Sequence, residues 1–525
     1  ETLAIDRSGR IQAMDCGFVI NGGGQKNLSP YVAQLATLSS MNCYNIPRAI
    51  AIASTNHPPQ LLGGSQRGFG GSQAFIAIET ILDEAAQKLK IDPFTLRRKN
   101  LLGQYRGTTV TGAPIMQDLQ LEEMLTRLEQ HPLWQKRFER QDDVEGKGQL
   151  YGVGFALSNE AYGTSGDGMF GAVQITEEGK VIVYTPYIDM GNGAATALGL
   201  APASFLGRNA NSINMGETQL FDSLKLTTTL STPVAPNYVL KSVGSTSACL
   251  GAFHQYHVVE QAGLALLLQS LLPAANAIWR TSQPASALRW KDNQLHAADM
   301  PPLSWLDVVK QASMMQLPLV AAVHASFVGA FATAQFTLNS SPTNLPLDYI
   351  AMGSSINTLK PIARSQLMNP PAINSKFGRT TYAPCGALVA ASIDPKTGKV
   401  TIDNVVSVLN AGVQHCPEMI SSQSQGGVAM AIGNVLLEHC PNNQDGPGNG
   451  TWNLHKYAIT RAVDMPHQEL IVLPPAPGET TARGIAEAVM CPIAPAILNA
   501  LAMATDGNRY TTLPVTAKTI LESLE

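Results

Sequence analysis

None of the seven cysteines has a partner at C-x-x-C spacing: Cys16, Cys43, Cys249, Cys385, Cys416, Cys440 and Cys491 stand singly. Iron–sulfur clusters and structural zinc sites show clustered thiolates, so neither is expected on this chain alone. His415-Cys416 and His439-Cys440 do not alter this, because adjacent side chains point apart on any regular element. Charge is also scarce. Asp, Glu, Lys and Arg make up 14% of the chain, against about 25% in ordinary soluble domains. A net charge of -4 gives no electrostatic reason to expect nucleic acid or an anionic membrane as partner. The strongest apolar run, GLALLLQSLLPAANAIW at 263–279, is interrupted by Gln269 and Pro273, short of the ~20 apolar residues of a membrane span. No span is expected, and the chain reads as soluble.

What is there is length, glycine and mixed patterning. A chain of 525 residues exceeds the ~250–300 at which single cores stop growing, so two or more domains are expected. The opening ETLAIDRSGRIQAMDCGFVINGGG reads as strand, turn, strand from its first residue, with no leader before it. It looks like the middle of a fold, which predicts a cleaved or split chain. AFIAIETILDEAAQKL places Phe75, Ile78, Leu82, Ala86 and Leu89 on one helical face, and Asp92-Pro93 starts another short helix. The charged stretch 131–148 reads as a linker or surface helix between a first domain (1–130) and a second (151–525). Beyond it come a hairpin around Glu178-Gly179, a long helix after residues 244–247, two strands joined at Pro395–Gly398, and a helix from about Ser422 to Glu438. Strands and helices mix without regular β-α alternation, which argues for the α+β class.

Four segments set small residues where the chain turns toward a helix: RGFGGSQ (67–73), DMGNGAAT (189–196), GSTSACLGA (244–252) and SSQSQGG (421–427). Unsatisfied N–H groups at a helix start favour phosphate oxygens, so these loops are read as four sides of one anion site. Each is equally an ordinary turn or N-cap, and none carries the G-x-G-x-x-G or P-loop spacing. Glu487 sits in an apolar, proline-punctuated loop, where burial would raise a carboxyl pKa and make it a usable base; the alternative is a structural hydrogen bond to nearby backbone. Arg67 either neutralises an oxyanion or pairs with a carboxylate, and Phe69 either stacks on a planar substrate or packs in the core.

In this order, NCYNIP (42–47), RGFGGSQAFIAIE (67–79), DPFTLRRKN (92–100), DMGNGAAT, IDPKTGKV (393–400), SQSQGG and RGIAEAVMCPIAPAILNAL resemble the motifs of the molybdenum-binding subunit of the xanthine dehydrogenase and aldehyde oxidase family. The resemblance covers essentially the whole chain. It implies molybdopterin-binding domains of that type, with a molybdenum–pterin cofactor in its cytosine dinucleotide form. The metal would be held by the pterin dithiolene and by no side chain. It further implies hydroxylation of an aldehyde or N-heteroaromatic carbon with oxygen from water, Glu487 acting as the base and Arg67 stabilising developing charge. Phe69 and Leu35 would face substrate; Leu35 stands where purine-oxidising members carry arginine, and the loop around Ser65 has no thiol for copper. Gly68, Phe69, Gly70, Gly71, Gly191, Asn192, Gly193, Thr196, Gly244, Ser245, Thr246, Ser247, Ala248 and Gln423 would hold the cofactor. Partners would be a chain carrying the N-terminal part of the molybdenum subunit, an iron–sulfur subunit, and any flavin or haem subunit. This sequence departs from the pattern at Asn192 (Gln), Arg483 (Lys), Ala486 (Gly), Ala488 and Val489 (both Pro) and Asn410 (Asp), which leaves the loop geometry around Glu487 open. The alternative is a non-catalytic subunit that grips the cofactor tail and completes a partner's fold.

Overall fold

The alternation at the start of the chain folds as read. Thr2–Ile5 (β1) and Ile11–Asn21 (β2) pair antiparallel, and Ala49–Asn56 (β3) joins β2 in parallel, in the order β1-β2-β3. A parallel pair needs a crossover, supplied by the helix Ser29–Ser39 (α1). This computed structural model describes residues 1–25, 27–58, 63–103, 107–162, 167–224, 249–327, 330–368, 381–440 and 454–525. Gly71–Leu89 (α2) buries Phe75, Ile78, Leu82 and Ala86, the stripe its spacing predicts. Asp92 caps Pro93–Arg98 (α3), its carboxylate accepting from the Phe94 and Thr95 amides at 2.9 and 3.0 Å. In the charged stretch, Arg137–Glu145 is a helix with no buried residue, the surface-helix form of that reading.

By contacts the chain forms two compact units, Glu1–Tyr162 with Thr381–Glu525, and 163–380. These compact units divide at 162/163 and 380/381. Leu150–Tyr162 (β4) pairs antiparallel along its length with Thr381–Asp394, from Leu150↔Ile393 to Tyr162↔Thr381, which ties the end of the chain to its beginning. A strand's partner is set by tertiary pairing, and local charge does not report it.

In the first unit the strands His467–Val472, Lys399–Leu409, Thr381–Asp394 and β4 make one sheet. The helix Ile493–Ala504 packs on β4 at glycines 152 and 154, where its backbone takes the place of side chains. A Cβ on Gly154 would stand 1.9 Å from the Ala496 carbonyl oxygen and 2.3 Å from the Ala500 nitrogen. Gly154→Ala is expected to destabilise the full chain by about 2–3 kcal/mol, near the upper end of overpacking costs. Urea unfolding measures it, and a loss below about half of this would mean that the helix has room to shift.

Beneath α2 lies a buried polar cluster. Glu79 accepts from Asn42 Nδ2 (2.8 Å) and Tyr44 Oη (2.5 Å) on one oxygen, and from Arg97 Nε (2.8 Å) and the Leu157 amide (3.1 Å) on the other. Glu79 and Arg97 are both fully buried. Residues of NCYNIP, FIAIE and DPFTLRRKN thus meet at one carboxylate and join α2, α3 and β4. Their task in this fold is architectural.

The second unit holds a six-stranded sheet ordered Lys360–Ile362, Tyr349–Gly353, Val320–Phe327, Asp167–Ile175, Val181–Thr185, Ser212–Met215. Leu250–Leu266 packs on its central strands and continues through a π-helical turn, Leu267–Leu271, into Leu272–Trp279. Gln269 and Pro273 were expected to interrupt this run. They do not, because the wider π turn absorbs the hydrogen bond that proline cannot make. The resulting Leu250–Trp279 segment is long and apolar enough to cross a membrane by length and composition, and in this fold it lies against the sheet with 56% of its most apolar window buried. Helices and sheets without regular β-α alternation place the chain in the α+β class, as its patterning predicts.

Candidate functional site

The turn before α2 takes an unusual path. Gly68, Phe69 and Gly70 have φ of +88°, +44° and +96°. Glycine adopts this region freely, whereas a left-handed phenylalanine costs of order 1–2 kcal/mol. The close approach that these glycines permit is to the protein's own parts. A Cβ on Gly70 would stand 2.2 Å from the Val32 carbonyl oxygen of α1, and one on Gly71 would stand 2.4 Å from Glu160 Oε2.

Arg67 extends from this turn into two distant segments. Its Nε donates to the Ala486 carbonyl at 2.5 Å, and its Nη2 donates to the Gln423 carbonyl at 3.0 Å and to Gln423 Oε1 at 3.4 Å. Gln423 lies on the helix Pro417–Leu436, which carries Gly426 and Gly427 at its closest approaches. A Cβ on Gly426 would be 3.4 Å from Arg67 Nη1, and one on Gly427 would be 3.1 Å from the Met490 nitrogen. These bonds are to carbonyl oxygens, and they clamp the 67–70 turn, this helix and the 485–491 turn together.

The 485–491 turn is closed by its own backbone. Val489 N–H donates to Ile485 O (3.2 Å), and the Met490 and Cys491 amides donate to Glu487 O (3.0 and 3.3 Å). Proline at 489 has no N–H, so Val489 adds a bond that the familiar pattern lacks, while Ala488 and Val489 are fully buried. Glu487 itself is half-buried. Burial, then Glu160, then Glu487 push the Cys491 thiol well above its ordinary pKa, which keeps it a thiol and no nucleophile. Just upstream, Arg483 donates to the carbonyls of Asp118 (2.6 Å) and Tyr382 (3.2 Å) and to Glu479 Oε2 (3.2 Å). Asn410 donates to the same Asp118 carbonyl at 3.1 Å and accepts from the Gly412 amide at 3.1 Å. An aspartate at 410 could not make the first of these bonds.

The structure thus brings together Arg67, Gly68, Phe69, Gly70, Gly71, Gln423 and Glu487. Phe69 is half-buried and packs against the core. The helix expected from about Ser422 starts at Pro417 and ends at Leu436, so residues 421–427 lie inside it and not at a turn before it; there amides bond within the helix and only side chains reach out. Leu35 is 2% exposed and belongs to the core cluster under α1, on the face of that helix that packs inward. The 189–196 loop, in the second unit, has left-handed Gly191 and Gly193, but the Asp189 carboxylate already accepts from the Gly191 (2.7 Å) and Ala195 (2.8 Å) amides. Asn192 Oδ1 accepts from the Ala194 amide at 3.2 Å, and Thr196 is exposed. Gly244, Ser245, Thr246, Ser247 and Ala248 lie outside the described residues. One residue escaped the sequence reading: Glu160, 3% exposed beside Gly71. Its signal was a run of polar residues, Ser158, Asn159 and Glu160, closing an otherwise apolar strand.

Two models described as molybdopterin cofactor-binding domains match the chain, over residues 2–101 and 127–466. Among curated relatives, the nicotine 6-hydroxylase large subunit of Paenarthrobacter nicotinovorans is 22% identical over 99% of this chain and 58% of its own length. A xanthine dehydrogenase molybdenum-binding subunit of Escherichia coli O157:H7 is 26% identical over 96% of this chain and 57% of its own. The chain therefore spans less than two thirds of these relatives. In fold it is similar to quinoline 2-oxidoreductase from Pseudomonas putida 86, with a TM-score of 0.74 at 22% identity over 99% of this chain and 61% of that one. It is also similar to aldehyde oxidoreductase from Desulfovibrio gigas, with a TM-score of 0.67 at 19% identity over 99% and 48%.

Proposed function

Because the chain belongs to the molybdopterin cofactor-binding domain family, we propose that it is the catalytic, cofactor-holding part of a molybdenum hydroxylase that oxidises an aldehyde or N-heteroaromatic carbon with oxygen drawn from water. The observation that carries this reading is the Arg67 clamp: the guanidinium joins the left-handed turn at 68–70 to the carbonyl immediately before Glu487. A carboxylate in that place accepts a proton as the substrate carbon is oxidised, and a positioned general base contributes roughly 10²–10⁴-fold.

The residues present fit such a cofactor. In this reading the pterin dithiolene, and no side chain of this protein, holds the metal. The cofactor supplies the two-electron redox chemistry when bound. The left-handed turn at 68–70 and Gly71 would border its head through their backbone, and Gln423 would present its side-chain amide. Asn192, Gly193 and Thr196, with the 244–248 segment, would bind the phosphate tail, in the cytosine dinucleotide form. The 189–196 loop can serve only through groups that Asp189 leaves available.

The names of two similar proteins, a nicotine hydroxylase and a quinoline oxidoreductase, favour an N-heteroaromatic; the aldehyde oxidoreductase keeps aldehydes in view. Electrons would leave through iron–sulfur clusters on a partner subunit to a flavin or haem, and another chain would supply the N-terminal part of the molybdenum subunit. Elemental analysis of the purified assembly is expected to find about one molybdenum atom per chain, with turnover in a screen of quinoline, isoquinoline, nicotinate, hypoxanthine and aldehydes. Absence of molybdenum from an assembly with intact partners would overturn the reading. Bound molybdenum with turnover independent of Glu487 would leave only the non-catalytic role.

A further inference from the structure

Glu160 lies beside this site and takes no part in the proposed chemistry. A carboxylate this deeply buried carries a desolvation cost of several kcal/mol unless its surroundings compensate, so its position calls for a reason. Its Oε2 fills the space that Gly71 leaves by having no side chain, where a Cβ would stand 2.4 Å away. The same oxygen accepts from Cys491 Sγ at 3.6 Å. Cys491 belongs to the turn that carries Glu487, and its amide donates to the Glu487 carbonyl at 3.3 Å. One side chain from β4 therefore touches both halves of the site, the first residue of α2 and the turn of Glu487.

We propose that Glu160 is a positioning residue, holding the Glu487 turn against the start of α2 through Cys491 so that the Glu487 carboxylate meets substrate at a fixed place. This rests on the reading of Glu487 as the base. It does the work from the strand side that Arg67 does from the turn side, since Arg67 grips the carbonyl of Ala486. A base misplaced by even a fraction of an ångström slows the chemical step and leaves substrate binding largely alone.

The test uses the assembled, molybdenum-loaded complex. Glu160→Ala is expected to lower kcat at least about tenfold with KM within about twofold of wild type, and with molybdenum content and melting temperature retained. Glu160→Gln keeps the shape and an acceptor oxygen, and is expected to recover most of that loss. Should Glu160→Ala fail to fold, Cys491→Ala and Cys491→Ser give the same reading from the other end, with serine restoring the hydrogen-bond donor and kcat while alanine does not. Wild-type kcat in Glu160→Ala, or equal kcat in the two Cys491 variants, would overturn the proposal. If Glu487→Gln turns over normally, the base falls and the proposal with it. If Glu487→Gln is inactive while Glu160→Ala behaves as wild type, the proposal alone falls.

Discussion

Glu487→Gln is expected to lower kcat by roughly 10²–10⁴-fold, the usual contribution of a positioned general base. The amide matches the carboxylate in size, so the backbone bonds closing the turn, Val489 to Ile485 and Met490 to Glu487, are undisturbed. Arg67 grips the main chain at Ala486 and no carboxylate oxygen of Glu487 is needed for that bond. Molybdenum content and melting temperature should therefore match wild type, and the loss should appear in kcat with KM little changed. Steady-state kinetics with whichever aldehyde or N-heteroaromatic the assembly oxidises, beside metal analysis of the same sample, checks both halves. Turnover within about threefold of wild type, with molybdenum bound, would exclude proton transfer at this carboxylate, since no general base contributes so little.

The second large effect concerns stability. Burial works against the Arg97 charge, but the attraction of Glu79, then of Tyr44, more than offsets it, and the guanidinium pKa is raised. Neither partner has any exposure in the fold. Arg97→Met keeps most of the side-chain volume and leaves the Glu79 carboxylate buried opposite an apolar group. The expected loss is about 3–5 kcal/mol, the cost of breaking a buried ion pair from one side. Glu79→Gln/Arg97→Met is expected to regain part of it, since no uncompensated charge then remains. Urea unfolding of the chain measures both. A single-variant loss under about 1 kcal/mol would mean that Glu79 is satisfied without Arg97.

The distance between sequence and structure differs from one element to the next. The α2 stripe and the Asp92 cap were legible because both are local: one follows from a 3.6-residue period, the other from a carboxylate set before a proline. The nearness of Glu487 to the 67–70 turn was legible only through the order of motifs, which carries no distances. The helix expected from about Ser422 forms but starts earlier, at Pro417, so 421–427 lies within it, where Gly426 and Gly427 let it pass close to Arg67 and Met490. That Leu35 is buried was not legible, because an aligned position does not say which way a helix face turns. Glu160 carried only the signal of a polar run, since its meaning depends on Gly71 and Cys491, both far away in sequence.

The chain's own residues therefore determined its class, its local elements and its family, all properties of short-range pattern and composition. Only the tertiary structure decided which loops converge, that Arg67 reaches the Ala486 and Gln423 carbonyls, that Asp189 already occupies amides in one expected anion loop, and that Glu160 belongs beside the site. Hydrogen bonds and desolvation act over a few ångströms of space, and separation along the chain says nothing of that distance until the strands have paired.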